Sequence, residues 1–171
     1  RFQDAASELA SAGARTIVVV PLLVSSHSGH YDQIRWLAGE TDSLDSEMQM
    51  HLKMSGIERA HVNARLVVSP ALDDAPELAR ILTKRALALT RTPRTQALFL
   101  VGHGPNSAED YAAWMHNLRP VADSVKARTG FRDVKVGLVR DDAPAEVRAE
   151  AVRRIREIIA LQAEVTGHPV I

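Results

Sequence analysis

An unbroken apolar run from Thr16 to Val24 constrains the fold more than any other feature of the sequence. The run has the length of a strand and falls far short of the roughly 20 residues that a membrane span requires. Because its apolarity is continuous rather than alternating, it predicts a strand that is covered on both faces, as in a parallel sheet. The whole chain, 46% hydrophobic and 25% charged, has the composition of a soluble globular protein.

Strand-like and helix-like segments alternate along the chain. Further strands are predicted at 66–68, 97–101 and 134–139, and helices are predicted to begin near Phe2, Tyr31, Pro76, Ser107 and Asp142. This order predicts an α/β fold with a parallel sheet flanked by helices on both faces. Pro120 is expected to kink or split its helix. Residues 40–63, where Met48, Met50, Leu52 and Met54 alternate with other residues, are expected to form a long connection, partly a strand or a lid.

Both ends of the chain suggest missing elements. The sequence starts at Arg1 directly inside a helical pattern, and it stops at Pro169-Val170-Ile171, which is typical of the start of a strand. We therefore expect further elements of the fold before and after these residues.

Charge and composition exclude several classes of function. Lys plus Arg and Asp plus Glu both number 21, so no overall basic field would attract nucleic acid or an acidic membrane. The absence of Cys excludes a disulfide framework, a thiolate metal site and a cysteine nucleophile. No P-loop, Gly-x-Gly-x-x-Gly or Gly-x-Ser-x-Gly motif is present, so no nucleotide cofactor and no serine hydrolase are predicted. We expect a cytoplasmic protein, and any metal that it binds must be held by His and carboxylates.

Three histidines follow predicted strands. His27 and His30 follow the first strand and His103 follows the third, while the other four histidines are interpreted as surface or packing residues. The carboxyl ends of parallel strands meet at one edge of a sheet, where ligands usually bind. Neutral imidazole binds divalent metals and accepts protons near neutral pH. The alternative is structural, with each His only closing a loop.

Two local patterns accompany the histidines. Gly102 and Gly104 flank His103, which favours either a close approach of a ligand to the backbone or only a tight turn. The sequence Asp-Asp-Ala-Pro occurs at 73–76 and again at 141–144, each time after a strand. The simpler interpretation is that both copies cap helices; the functional one is that both lie at the ligand-binding edge.

The segment Val20 to Ile34, with its Pro-Leu, small residues, His and downstream Asp and Ile, resembles sirohydrochlorin chelatases of the CbiX/SirB type, which are class II chelatases. Leu100 to Gly104 resembles the strand and His-Gly that open such a domain, and Val136 to Pro144 resembles the next strand, which in the family ends in an acidic residue. The resemblance implies two similar α/β lobes, each partly represented here, at 1–92 and 93–171, with a metal and tetrapyrrole site in the cleft between them.

The resemblance also implies an activity. It is the insertion of a divalent metal, cobalt or iron and by extension nickel, into sirohydrochlorin without ATP, for cobalamin or sirohaem synthesis. The implied catalytic residues are His30 and His103, with His27 as the alternative to His30.

The implied site residues extend beyond the catalytic pair. The implied metal ligands are His27, His30, His103 and Asp142, with Asp141 as the alternative acidic residue. The implied substrate-binding residues are Ser25, Ser26, Gly102 and Gly104. Arg35, Arg94 and Arg140 are weaker candidates for binding the carboxylates of the tetrapyrrole.

Two other functions stay open at this stage. A non-catalytic metal- or tetrapyrrole-binding protein would bind the metal without accelerating insertion, and a purely structural domain would bind no metal. The expected partners are a tetrapyrrole and a second copy of the chain, since members of the family pair lobes within a chain or as dimers.

Overall fold

The computed structural model describes residues 2–171, apart from the side chain of Glu47. Its helices are α1 Phe2–Ser11, α2 Gly29–Leu37, α3 Ser46–Met54, α4 Pro76–Leu89, α5 Ala108–Thr129 and α6 Ala145–Thr166, and its strands are β1 Thr16–Val19, β2 Arg65–Val68, β3 Leu98–Gly102 and β4 Val134–Leu138. This confirms the α/β class with parallel strands. Among the described residues, no helix combines the length and apolarity needed to cross a membrane.

The chain forms two compact units, the first ending at Leu72 and the second running from Asp73 to Ile171. The first contains α1, β1, α2, α3 and β2; the second contains the remaining elements. The family resemblance implies a boundary between two lobes at residues 92 and 93. That boundary stays a prediction.

In the first unit β1 pairs with β2 in parallel, from Thr16 opposite Arg65 to Val19 opposite Val68. The strand is shorter than predicted, because it ends at Val19 rather than Val24. Continuing the same register places Pro21 opposite Pro70, and neither residue has an N–H to donate to the ladder. Two prolines at one level therefore end the pairing.

The prediction that this strand is covered on both faces is wrong. Ile17 is buried, whereas Val18 is 61% and Val20 is 64% exposed. One face of β1 is thus covered and the opposite face is exposed, even though the run is apolar throughout. A continuous apolar run does not by itself show that both faces of a strand are covered.

Residues 40–63 contain a helix, α3, where a connection, strand or lid was predicted. Asp45 caps it, since its carboxylate accepts a hydrogen bond from the backbone N–H of Met48 at 2.7 Å. Leu52 is the buried anchor of the helix, while Met50 and Met54 are exposed. The alternating methionines suggested a strand period, but among Met48, Met50, Leu52 and Met54 the fully buried residue is Leu52.

In the second unit β3 pairs with β4 in parallel, from Leu98 opposite Val134 to Gly102 opposite Leu138. On the other side of β3, Val170 forms a parallel bridge with Ala97, which confirms the strand-like character of the last residues. The buried side chains of this unit include Leu98, Phe99, Trp114, Leu118, Val125, Val134 and Leu138.

Helix α5 begins as predicted, with the Ser107 hydroxyl accepting from the backbone N–H of Asp110 at 3.0 Å. It runs through Pro120 to Thr129 without a break, so of the two predicted effects the split is wrong, while the kink stays a prediction. Proline removes the hydrogen bond to the carbonyl of His116, four residues earlier. Pro120 and His116 are both exposed, so water can replace that bond.

The capping role proposed for Asp-Asp-Ala-Pro is also wrong. Ala75 and Pro144 are the N-cap residues of α4 and α6, and neither helix has a side-chain cap hydrogen bond. Asp142 lies two residues before its helix cap, so it is not the residue that caps α6. Both repeats instead end in a proline at the start of a helix, and two of their aspartates make other contacts, Asp73 with Asn117 and Asp141 with Arg148.

Replacing Leu52 with Ala tests the packing of α3. Leu52 is 1% exposed, so Leu52→Ala should lower the free energy of unfolding by about 2–5 kcal/mol through lost burial and a cavity. Met54→Ala is the matched control on the same helix, where 83% exposure limits the expected loss to about 0.5 kcal/mol. Urea unfolding followed by circular dichroism measures both, and equal losses would contradict the assignment.

Asp133 gives the second unit a pH-dependent contribution to stability. Burial raises the pKa of this carboxyl, but hydrogen bonds and charge from Lys126 and Lys135 outweigh burial and hold it below its ordinary value of 3.8. The folded state is therefore favoured above that pH, and the contribution is lost as pH falls through the lower, folded-state pKa. Asp133→Asn should destabilise the protein at pH 7, and the difference should shrink below about pH 4. A urea series across pH would contradict this if the difference stayed constant.

Candidate functional site

His103 and Asp142 come together at the carboxyl edge of the β3–β4 sheet. β3 ends at Gly102 and β4 at Leu138, which are directly opposite each other. The loops that follow both strands therefore start at the same level, and the Nε2 of His103 lies 3.3 Å from Oδ2 of Asp142. The structure thus unites two of the residues that the sequence pattern implies as metal ligands.

A hydrogen bond at Nδ1 of His103 determines which nitrogen of the neutral ring carries the proton. Nδ1 lies 2.9 Å from the carbonyl oxygen of Gly104, which can only accept a hydrogen bond. We therefore assign the ring proton to Nδ1, which leaves a lone pair on Nε2 in the neutral imidazole. A carboxylate oxygen is also only an acceptor, so two lone pairs face each other. A cation, either a proton or a metal, resolves that repulsion.

The pair is open to a substrate. The side chain of His103 is 55% exposed and that of Asp142 is 63% exposed. Both groups can therefore contact a bound molecule while they contact each other. The pair thus combines a defined proton assignment with access from solvent.

The two glycines beside His103 are required by the packing of Leu138. A Cβ at Gly102 would lie 2.7 Å from Cδ2 of Leu138, and a Cβ at Gly104 would lie 2.7 Å from its Cβ. Gly104 also has a φ of +83°, which side chains rarely adopt. Because the glycines have no Cβ, the loop can pack directly against the buried Leu138. This contact fixes the position of His103 relative to β4.

In the first unit His27 and His30 are exposed at the start of α2. Ser25, which is buried, accepts a hydrogen bond from the backbone N–H of His27 at 3.1 Å. Ser28 caps α2 by accepting from the N–H of Tyr31 at 3.3 Å. The small hydroxyl residues before the helix therefore form the turn that presents both imidazoles.

Helix α2 is also attached to β2 and the segment that follows it. The Tyr31 hydroxyl donates to the Ser69 carbonyl at 3.3 Å, and Ser26 Oγ accepts from the Ala71 N–H at 2.9 Å. At the far end, Glu40 accepts from the Val68 N–H at 2.7 Å. The helix that begins beside His30 is therefore held at both ends. The role of Glu40 has no motif in the sequence that could have predicted it.

Other predicted residues have contacts of their own. Arg35 lies near two acidic residues, Glu40 at 3.6 Å and Asp32 at 4.0 Å. Arg140 donates hydrogen bonds to the carbonyls of Pro105 and Asn106. Within the part of the chain that the structure describes, no three His, Asp or Glu side chains form a group that could hold a metal. His27 and His30 therefore stay predicted ligands.

Comparison with known proteins gives one family match. A family model described as CbiX matches residues 1–89, just over half of the chain. No curated protein matches the chain. The match covers His27 and His30, whereas His103 and Asp142 lie outside it. The family match therefore carries no information about the role of His103 and Asp142.

The contact of Gly104 with Leu138 is testable with an alanine. Gly104→Ala adds the cost of a left-handed φ, about 1 kcal/mol, to about 1–3 kcal/mol from overlap with Leu138. Gly167→Ala is the control, since its φ is +65° but nothing lies within 4 Å of the added methyl. We expect the first change to lower the free energy of unfolding by about 2–4 kcal/mol and the second by about 1 kcal/mol. Equal values in urea unfolding would exclude the contact.

Proposed function

The chain belongs to the CbiX family, and on that premise we propose that it inserts a divalent metal, cobalt or iron, into sirohydrochlorin without ATP. Chelatase-type metal insertion is the activity that membership of this family implies. The metal and the tetrapyrrole are our proposal, as is a place in cobalamin or sirohaem synthesis in the cytoplasm. Nickel is a further metal that the same nitrogen and oxygen donors would accept.

The observation that carries this proposal is the contact between Nε2 of His103 and Oδ2 of Asp142. Insertion replaces two pyrrole N–H protons of the ring with one divalent metal. A group that serves this reaction must accept a proton and tolerate a cation at the same position. The two facing lone pairs of this pair have that property.

The pair can exchange one cation for another. In the first step a hydrated divalent metal binds to Nε2 of His103 and to Oδ2 of Asp142. The metal then moves to the pyrrole nitrogens, which leaves Nε2 free to take one of the two protons that the ring releases. The imidazolium formed can donate its new Nε2–H to Asp142. Two protons leave the ring and one M²⁺ enters, so charge is conserved.

His30 is the proposed acceptor of the second proton, with His27 as its alternative or as a further metal ligand. Both are exposed on the turn before and at the start of α2. We propose that Ser25 and Ser26 contribute to substrate binding by stabilising this turn, because their hydroxyl groups accept backbone hydrogen bonds there. We propose that Gly102 and Gly104 contribute in a similar way by allowing the loop that carries His103 to pack against Leu138.

The test is Co²⁺ insertion into sirohydrochlorin, followed by absorbance, with the full chain. His103→Ala removes a general base and should lower the rate by about 10²–10⁴-fold. Asp142→Asn keeps the shape but removes the charge, and should cost about 10–100-fold. His30→Ala should also lower the rate. His116→Ala is the matched control, because His116 is exposed on α5 and has no assigned role.

The alternatives predict different results. A rate that exceeds the spontaneous reaction and falls in the His103 and Asp142 variants supports the chelatase. A protein that binds cobalt through these residues without accelerating insertion would be a binding protein instead. Equal rates in the His103 and His116 variants would remove His103 from the mechanism.

A further inference from the structure

We propose that Arg140 is a positioning residue that aligns His103 with Asp142 through the loop that carries each of them. This inference rests on the proposed function of the pair. Arg140 lies two residues after the end of β4 and is the first residue of the turn that contains Asp142. The sequence names it only as one of three arginines that are candidates for binding substrate carboxylates.

The side chain of Arg140 binds the loop after His103. Its Nε donates to the carbonyl of Pro105 at 2.9 Å, and its Nη2 donates to the carbonyl of Asn106. The guanidinium also stacks over the ring of Tyr111 in the first turn of α5, at 5.4 Å from the ring centroid. One planar side chain thus joins the loop to the helix that follows it.

The backbone of Arg140 holds both members of the pair. Its N–H donates to the carbonyl of His103 at 2.6 Å, and its own carbonyl accepts from the N–H of Ala143 at 3.1 Å. The second bond closes a four-residue turn in which Asp142 is the third residue. Arg140 has a φ of +57°, so the chain reverses here in a conformation that favours glycine.

This pattern differs from that of a residue that binds substrate carboxylates. Two of the guanidinium nitrogens of Arg140 donate to backbone carbonyls, and its Cζ atom lies over the ring of Tyr111. The nearby Asp141 is paired with Arg148 at 2.6 Å. An arginine at a left-handed position, where glycine would be less strained, points to a role for its side chain.

The test is the variant Arg140→Gly. Glycine suits the φ of +57° and removes every side-chain contact, so the fold should survive while the loop loses its support. Arg140→Lys is the second variant, because it keeps the charge but its single amino group cannot reproduce the planar two-nitrogen contact. Arg148→Gln is the control, since it removes a charge beside the same turn without touching the loop of His103.

The first readout is the imidazole of His103 in long-range ¹H–¹⁵N NMR spectra without substrate, with the signal assigned by its absence in His103→Ala. At the alkaline end of a pH titration, the unmodified protein and Arg148→Gln should show the proton on Nδ1. Both Arg140 variants should show a mixture of the two tautomers. A ring that is unchanged in both Arg140 variants overturns the inference.

The second readout is Co²⁺ insertion. Both Arg140 variants should lower kcat by about 10–100-fold, because a misplaced base slows the chemical step, while KM changes by less than about twofold. A loss confined to KM would indicate substrate binding and would overturn the positioning role. If the unmodified protein inserts no metal, the proposed function fails, and the NMR result still decides whether Arg140 aligns His103.

Discussion

The parallel register of β3 with β4 is the constraint on which the candidate site depends. Because Gly102 lies opposite Leu138, the chain leaves both strands at the same level, and the carbonyls of Gly102 and His103 accept from the N–H groups of Val139 and Arg140. These two hydrogen bonds join the two loops directly after the paired strands end. Leu138, which is almost fully buried, supports them from below. A change of register by one residue would separate His103 from Asp142.

The chemical character of the site follows from where one proton lies. In most His–carboxylate pairs the imidazole N–H donates to the acid, and the pair is complete in its neutral state. Here the Nδ1–H of His103 donates to the carbonyl of Gly104, so in the neutral ring the Nε2 atom that faces Asp142 has no proton to donate. The pair is completed by a cation from outside. Metal insertion supplies both kinds of cation, because the metal ion is a substrate and the tetrapyrrole ring releases two protons.

Some of this could be predicted from the sequence. The alternation of strands and helices predicted the α/β class, and the His-Gly after the third strand and the Asp pair after the fourth predicted residues that do meet. The helix α3 was missed because alternating methionines imitate a strand, and only burial of Leu52 reveals its packing. The reach of β1 was overestimated because the opposing prolines, Pro21 and Pro70, meet only once the register is known. Arg140 was named as a candidate for binding substrate carboxylates, whereas its guanidinium donates to backbone carbonyl oxygens, which no side-chain motif encodes.

The central claim is that Nε2 of His103 and the carboxylate of Asp142 form one cation-binding pair while Nδ1 keeps its proton. The most direct measurement is a titration of ¹⁵N-histidine-labelled protein with Zn²⁺, a diamagnetic metal suited to imidazole and carboxylate donors. We expect a saturable change at Nε2 of His103, a proton retained on Nδ1, and an affinity reduced about 10–100-fold in Asp142→Asn. Binding through Nδ1, or an Nε2 resonance that zinc leaves unchanged, would contradict the account.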